Sequence, residues 1–554
     1  MLTINPIYIV WILALTTTAS VIWHLVQTQK WSYRHLSIWK IFLPLTVIAS
    51  LSKIPNWLHP FNGLEYEDAY VYNACARGFL YLKDFSVTPF LTQSCSVGSL
   101  KDWQYSSAYS GHLVTFPALV YGYFELFGYC PTAILYINAT IAVVNVSVLY
   151  LLALQILPSK SYALAASLIF SLTPAVSLYH ATGFSEVFSS LLITLYLLLF
   201  SRIYSGLDTK TRTRGKPWLW LALISTLLLA VIAKRENILL LIIPTLAAIA
   251  SRDLPTLLLR LKRWGMLILT VIIVLLLERY AIDLQSTNRA EMNDALGAPF
   301  RLNYIKQLLP SLIYTLFRPS WFFVFGYFLI IGVIFILFKY RGNRVLITVL
   351  GLWMCYTAAY LTHYRSYFFV RGDEVSSTEL MRYITNYYPL FCLIAALPIF
   401  LLWKNIQPLL AAKPLNKKMF YAIIVSTGIG LVVQGHQLKY ISGLHEEDVR
   451  TRPVLTTIDQ LKEHDILVTD EPLLYQIYAV ASFEVIELRT LPVLFSEKAF
   501  KQLVKNRNVY YFNRLDAEGC APDMRMEPAR KILAVCERTR IFGEKGVFDL
   551  VALH

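Results

Sequence analysis

The chain has 554 residues and is more apolar and less charged than a soluble protein. It is 56% hydrophobic and 15% charged, whereas average soluble chains are about 45–50% apolar and about 25% charged. These values exclude a disordered chain and argue against an ordinary soluble enzyme. The net charge of +15 comes from basic residues in short loops between apolar runs. That placement is typical of an oriented membrane protein, and it does not indicate a nucleic-acid partner.

Apolar segments long enough to cross a bilayer recur along the first 435 residues. A transmembrane helix needs about 20 mostly apolar residues, and about twelve segments approach this length. The first has no basic residues before it and no small-residue cleavage site, which favours a helix over a signal peptide. The predicted spans are 7–26, 38–55, 131–153, 162–179, 186–203, 217–233, 238–251, 265–281, 321–338, 345–362, 384–403 and 419–435.

Basic clusters in the loops predict the orientation. They follow the first, fifth, seventh, ninth and eleventh spans, so twelve spans place every cluster on one side. The positive-inside rule assigns that side to the cytoplasm. Both termini and the long loops 56–130, 282–320 and 363–383 are therefore predicted to lie outside.

The remaining residues, 436–554, are predicted to form a small soluble α/β domain on the outer side. The expected strands are 464–470, 484–488 and 509–512, and the expected helices are 471–483 and 496–505. This alternation favours a parallel or mixed sheet. The domain carries no glycine-rich phosphate loop, so we expect a structural or acceptor-docking role.

Two pairs of cysteines fall on the predicted outer side. Cys75 and Cys95 share the first loop, and Cys520 and Cys536 share the C-terminal domain. An oxidising compartment would permit a disulfide in each pair, and free thiols are the alternative. Neither pair has the spacing of a zinc site.

The most informative stretch is residues 64–80, LEYEDAYVYNACARGFL, which we call the acidic segment. It carries three carboxylates within four positions and follows the second predicted span. From Glu67 on, it is predicted to be helical, with Glu67 and Asp68 in the first turn. A helix dipole favours negative charge there, so simple N-terminal capping is the alternative to a catalytic role.

The acidic segment resembles the first outer loop of the GT-C-fold membrane glycosyltransferases. These include the protein O-mannosyltransferases and the lipid A aminoarabinose transferases. The matching features are an acidic pair, an Ala-Tyr and, later, an Ala-Arg that ends at Arg77. The family usually has Asp-Glu, and here the order is Glu67-Asp68.

Four later features also resemble this family in order along the chain. His112 opens a segment, 111–128, that is similar to the second interfacial helix of the family, although only Pro117 remains of its proline pair. Glu186 begins a predicted span, Lys234-Arg235 ends another, and Arg382-Tyr383 precedes a span that contains Pro389. The resemblance covers roughly residues 40–435.

The resemblance implies transfer of a sugar from a polyprenyl-phosphate donor in the bilayer to a glycan, lipid or protein acceptor. Asp68 or Glu67 would be the base that accepts the proton of the acceptor hydroxyl. Cationic side chains would stabilise the charge on the lipid-phosphate leaving group, and Arg can bind its oxygens bidentately. The candidates for this role are Arg235, Arg382, Lys234, Arg365 and Arg371, with Glu186, Arg77 and His112 in support.

Three other function classes stay open at this point. A polymerase or ligase of lipid-linked oligosaccharides would share both location and chemistry. A lipid flippase or transporter would favour charges near the membrane midplane and repeated helices, whereas the candidate charges cluster on the outer side. A membrane anchor for the C-terminal domain would tolerate neutral replacements of Glu67 and Asp68.

The glycosylation sequons suggest a compartment. The two that occur, at Asn138 and Asn145, both fall inside a predicted span. This favours a bacterial inner membrane with an active site facing the periplasm over an endoplasmic-reticulum membrane. No cofactor is assigned from the sequence, a divalent cation is compatible with the chemistry, and no ligand set for a metal is recognised.

Overall fold

The computed structural model describes most of the helical part of the chain and most of the C-terminal sheet. The described residues are 10–20, 36–51, 69, 72–73, 76, 80, 115–130, 132–180, 182–208, 217–243, 265, 269, 272, 302–362, 375–411, 414–441, 457, 461–462, 465–469, 484–488, 491, 495–514, 527–544 and 548–554.

The described residues of the N-terminal half form mostly helices, which satisfy the backbone hydrogen bonds of a chain within a bilayer. Its helices are α1 (Val10–Ser20), α2 (Leu36–Leu51), α3 (Thr115–Phe127), α4 (Ala133–Ile156), α5 (Lys160–Leu172), α6 (Pro174–His180), α7 (Ser185–Asp208) and α8 (Pro217–Ala233). A 3-10 helix, Arg235–Leu241, follows α8.

The later helices of the described residues belong to the membrane part, apart from two in the C-terminal domain. They are α9 (Ile305–Phe317), α10 (Pro319–Phe322), α11 (Phe325–Phe338), α12 (Arg344–Thr362), α13 (Val375–Ala411), α14 (Pro414–Ile441), α15 (Glu497–Asn506) and α16 (Glu527–Ala534). Among the described residues, four helices are long and apolar enough to span a membrane, or five if a bent pair counts as one. Shorter apolar helices lie at five further places, including α1, α8 and α11. The chain is thus an integral membrane protein.

The bent pair replaces one predicted span. Residues 162–179 were predicted as a single helix, but α5 ends at Leu172 and α6 begins at Pro174, with a bend of 66° between them. Thr173 between them is extended, with φ −65° and ψ 120°. A proline disfavours the helical conformation of the residue before it, which accounts for the break.

A second proline shapes α13. The backbone of Tyr387 departs from helical geometry, with φ −111° and ψ 16°. Pro389 lies two residues later, has no N–H to donate to the preceding turn and therefore kinks the helix. The kink separates the segment that carries Arg382 from the rest of the helix.

The C-terminal domain contains a mixed five-stranded sheet with the order β2-β1-β3-β5-β4. The strands are β1 (Ile466–Thr469), β2 (Glu484–Glu487), β3 (Val509–Arg514), β4 (Arg538–Glu544) and β5 (Phe548–Leu553). β1 pairs in parallel with β2 and β3, whereas β5 is antiparallel to β3 and β4. The prediction of a mixed sheet is confirmed, as are its three predicted strands.

The remaining elements agree with the predicted ones in part. α15 is confirmed, and Ser496 caps it by accepting a hydrogen bond from the Ala499 N–H. α16, β4 and β5 were not predicted, and α9 lies in the predicted loop 282–320. α14 runs on to Ile441, beyond the predicted domain boundary at 435, which stays a prediction. The predicted helix 471–483 lies outside the described residues.

Candidate functional site

A buried carboxylate lies at the start of α7. Glu186 is in the first turn of the helix, where the dipole favours an anion, and it is only 1% exposed. Burying an isolated carboxylate is costly, so such groups are paired with cations. Glu186 is therefore expected to have cationic partners.

Two basic side chains supply this pairing. Lys234 Nζ lies 2.6 Å from Glu186 Oε1, and Arg382 Nε lies 2.7 Å from the same oxygen. Lys234 directly follows α8, whereas Arg382 lies in α13 before its kink. We call these three residues the cation cluster, and two cations with one carboxylate give it a net charge of +1.

Aromatic rings hold the two cations in place. The Arg382 guanidinium lies 4.1 Å from the centre of the Phe184 ring, and Lys234 Nζ lies 5.5 Å from the centre of the Tyr383 ring. A cation within about 6 Å of a ring face is attracted by the ring quadrupole. The side chains of both cations are 12% exposed, so the cluster is mostly, but not fully, enclosed.

The acidic segment reaches the cation cluster through Tyr72. Its hydroxyl lies 3.1 Å from Ser185 Oγ, and Ser185 Oγ donates to Glu186 Oε2 at 3.5 Å. Ala69 packs against Gly183 so closely that a Cβ added to Gly183 would overlap the Cβ of Ala69. The helical residue that follows Asp68 is thus in contact with the loop before Glu186.

That loop is held from α4. Asn138 is fully buried, and its Nδ2 donates to the carbonyl oxygens of Thr182 at 2.6 Å and Phe184 at 2.8 Å. Two carbonyl acceptors require the amide nitrogen at this position. Asn138 therefore fixes the loop that carries Gly183 and the ring beneath Arg382, and it is not available as a glycosylation acceptor.

Four tyrosines from two helices form a stack beside the cluster, which we call the tyrosine column. The ring centres are 5.4 Å apart for Tyr356 and Tyr387, 5.7 Å for Tyr387 and Tyr360, and 4.9 Å for Tyr360 and Tyr383. Members from α12 and α13 alternate along it. The column ends at Tyr383, next to Arg382.

A buried asparagine ties the column to α7. Asn237 Oδ1 accepts a hydrogen bond from the Tyr356 hydroxyl at 2.8 Å, and Asn237 Nδ2 donates to Ser189 Oγ at 2.6 Å. Asn386 Nδ2 donates to the Tyr360 hydroxyl at 3.1 Å. Buried polar groups in a membrane protein need such partners, and these bonds fix α7, α12 and α13 against one another.

The structure brings together three of the predicted site residues, Glu186, Lys234 and Arg382. Arg235 begins the 3-10 helix after Lys234, but its side chain is outside the described part. The remaining predicted residues also lie outside the described residues: Glu67, Asp68, Arg77, His112, Arg365 and Arg371. On the acidic segment, Ala69, Tyr72, Asn73, Ala76 and Leu80 are helical.

The cysteine predictions stay predictions. Cys536 is buried and is a free cysteine in the structure, and its proposed partner Cys520 lies outside the described residues, as do Cys75 and Cys95. Burial raises the pKa of the Cys536 thiol, although nearby Lys501 and Arg538 partly oppose the rise.

The sequence did not single out Asn138, Ser185, Tyr72 or the tyrosine column as functional. The available signal was polarity within spans: Asn138 and Asn237 are polar positions in or next to apolar runs, and such positions are rare unless they are paired. Within the described residues, no group of three or more His, Cys, Asp or Glu side chains is placed to hold a metal ion.

Comparison with known proteins identifies the fold. The crystal structure of ArnT from Cupriavidus metallidurans bound to undecaprenyl phosphate aligns with a TM-score of 0.58 at 13% identity, over 94% of this chain and 98% of that chain. The apo form gives 0.59 at 12% identity with the same coverage. The archaeal oligosaccharyltransferase AglB from Archaeoglobus fulgidus, in complex with an inhibitory peptide and a dolichol-phosphate, gives 0.46 at 12%, over 94% of this chain and 74% of that chain.

Two further comparisons find no match. No protein-family model matches the chain, and no curated protein matches it either. The similarity to ArnT nevertheless extends over nearly the full length of both chains. The chain therefore has the GT-C fold, as its sequence predicts.

Proposed function

We propose that the protein is a membrane glycosyltransferase that moves a sugar from a polyprenyl-phosphate-linked donor to a glycan, lipid or protein acceptor. The observation that carries this proposal is the cation cluster. Lys234 and Arg382 converge on one buried carboxylate, next to the helix that follows Asp68. A lipid phosphate is the anion that such a site suits in a bilayer.

The proposed reaction uses the cluster for the leaving group. Cleavage of the sugar–phosphate bond leaves negative charge on the lipid phosphate, which preorganised cations stabilise best. Lys234 and Arg382 fill this role, and Arg235, Arg365 and Arg371 are further candidates. Glu186 orients both cations through one carboxylate oxygen.

The acceptor half of the reaction requires a base. Asp68 or Glu67 would accept the proton of the acceptor hydroxyl as its oxygen attacks the anomeric carbon, with Arg77 and His112 in support. Attack in one step would invert the anomeric centre. Comparing the anomers of donor and product by NMR tests this, and retention would exclude a single displacement.

Two observations support the donor and the compartment. ArnT, whose fold this chain shares, was crystallised with undecaprenyl phosphate, which supports a polyprenyl phosphate here. The basic loops predict that the acidic segment faces outward. We therefore propose a bacterial inner membrane with the site on its periplasmic face, where a preactivated lipid donor replaces nucleotide sugars.

Mutation of the acidic pair tests the proposal. A deletion strain is complemented with Asp68→Asn or Glu67→Gln, and envelope glycans and glycoproteins are analysed by mass spectrometry after normal membrane insertion is verified. We expect one variant to restore no product, while Glu65→Gln, a third carboxylate of the same segment, restores the wild-type level.

The other outcomes separate the rival functions. Full activity in both variants would mean that Glu67 and Asp68 only cap the helix and have no catalytic role. An unchanged glycan profile on deletion of the gene would favour a transporter or an anchor. The mass of the product distinguishes transfer of one sugar from transfer of an oligosaccharide by a polymerase or ligase.

A further inference from the structure

The C-terminal sheet has two buried faces, and among the described residues the helices α15 and α16 pack against one of them. Ile466, Val468, Val509 and Leu553 share a cluster with residues of α15 and α16, among them Phe500, Leu503 and Leu533. Because side chains alternate along a strand, the residues between them point to the opposite face. Leu467, Phe512 and Leu550 belong to that second face.

The second face packs against the outer part of the membrane domain. Its three residues are 0–2% exposed, and they share one cluster with Phe116, Val120 and Phe124 of α3. The same cluster contains Ala69, Tyr72 and Ala76 of the acidic segment. These three positions follow the spacing of one helix face.

That helix face also contacts the site. Ala69 is packed against Gly183, and the Tyr72 hydroxyl bonds to Ser185 Oγ. The Tyr72 ring meets Phe116 edge-on, with ring centres 5.3 Å apart. The acidic segment thus lies between the C-terminal sheet and the loop that leads to Glu186.

We propose that the C-terminal domain is a positioning element for the acidic segment. Leu467, Phe512 and Leu550 form the packed support that keeps Ala69 on Gly183 and Tyr72 on Ser185. The sequence suggested a structural or acceptor-docking domain, and the packing of the second face gives the structural role a definite target. It rests on the proposed function only where it concerns catalysis.

A pair of leucines on β5 provides a matched test. Leu550 is fully buried on the face toward the acidic segment, whereas Leu553 is 3% exposed on the face toward α15. Leu550→Ala and Leu553→Ala make the same change on one strand, at side chains that lie on opposite faces of the sheet. Hydrogen exchange is measured on the full-length protein in nanodiscs, because local opening controls exchange.

We expect Leu550→Ala to raise exchange several-fold in peptides that contain Tyr72, Asn73 and Ala76. Leu553→Ala should leave those peptides unchanged and raise exchange in α15. The inference is overturned if Leu550→Ala leaves the acidic segment as protected as in the wild type, or if Leu553→Ala loosens it equally. Leu550→Val, a smaller change, serves if Leu550→Ala does not fold.

Activity provides a second and separate readout. A positioning role predicts that Leu550→Ala lowers kcat several-fold, with KM for the polyprenyl-phosphate donor within about twofold of the wild type, since Lys234 and Arg382 keep their own bonds to Glu186 Oε1. Equal activity in Leu550→Ala and wild type would remove the catalytic part of the inference. If the wild type transfers no sugar, the proposed function fails, and the exchange result still decides the structural part.

Discussion

Arg382 Nε donates to Glu186 Oε1 at 2.7 Å across 196 positions of sequence. The same oxygen accepts a hydrogen bond from Lys234 Nζ at 2.6 Å. One buried oxygen thus sets the separation of two cations, one directly after α8 and the other in α13.

Glu186→Gln keeps the size of the side chain and removes its charge. We expect the two cations to separate, because they then repel each other without a counterion, and the free energy of unfolding to fall by about 3 kcal/mol. Sugar transfer should fall by at least about tenfold. Thermal unfolding in detergent and transfer to acceptor are the measurements, and wild-type values for both would contradict the assigned role.

Arg382→Lys keeps the charge but loses the Nε donor and the planar group over Phe184. Arg and Lys are not interchangeable at stacked sites. We expect KM for the donor to rise by about tenfold, equivalent to about 1.4 kcal/mol. The same change at Arg341, an exposed residue in the loop before α12, serves as the control and should leave KM unaltered.

Gly183→Ala places a Cβ against that of Ala69. Overpacking of this kind costs about 1–3 kcal/mol, and we expect a lower Tm together with reduced transfer. Ala69→Gly in the same chain removes the opposing Cβ and should restore part of both. Gly351→Ala is the control because nothing lies within 4 Å of its added Cβ. An equal effect at Gly351 would show that replacing any glycine lowers stability, and that the contact with Ala69 is not the cause.

Asn138→Ala removes both hydrogen bonds that hold the loop at Thr182 and Phe184. Each buried carbonyl left without a partner costs about 1–3 kcal/mol, so we expect a marked fall in Tm. Thr140→Ala destroys the same sequon at an exposed position, where the hydroxyl bonds only within its own helix. If Asn138 carried a glycan, both variants would lose the same glycan mass in addition to the mass difference of the substitution; we expect neither to lose any glycan mass.

Much of the fold could be predicted from the sequence because its signals are local. Apolar runs predicted the spans that coincide with α4, α7, α12 and α13, and the strands β1, β2 and β3 and the helix α15 followed from short-range patterns. Glu186, Lys234 and Arg382 were each singled out by resemblance. Their meeting at one oxygen was not predictable, since 48 and 196 positions separate the partners.

The errors also have physical causes. The span 162–179 was predicted as straight because its hydropathy is continuous, but Pro174 breaks it at Thr173. β4 and β5 were missed, and their antiparallel hairpin carries charged residues such as Arg538 and Arg540. The second buried face of the sheet could not be expected, because its partners lie some 400 residues earlier in the chain.

The tyrosine column fixes the axial register of two neighbouring helices. Its rings alternate between α12 and α13, so a slide by one turn, about 5.4 Å, would exchange every stacking partner and bring the Arg382 end of α13 out of line with Glu186. Each stacked pair therefore resists a small axial shift of α13 against α12. The stacking could form again only after a shift by a whole turn. The tyrosine column therefore fixes the position of the Arg382 guanidinium along the helix axis. Inserting or deleting one residue of α13 between Tyr383 and Tyr387 would break the stacking and displace the guanidinium from Glu186.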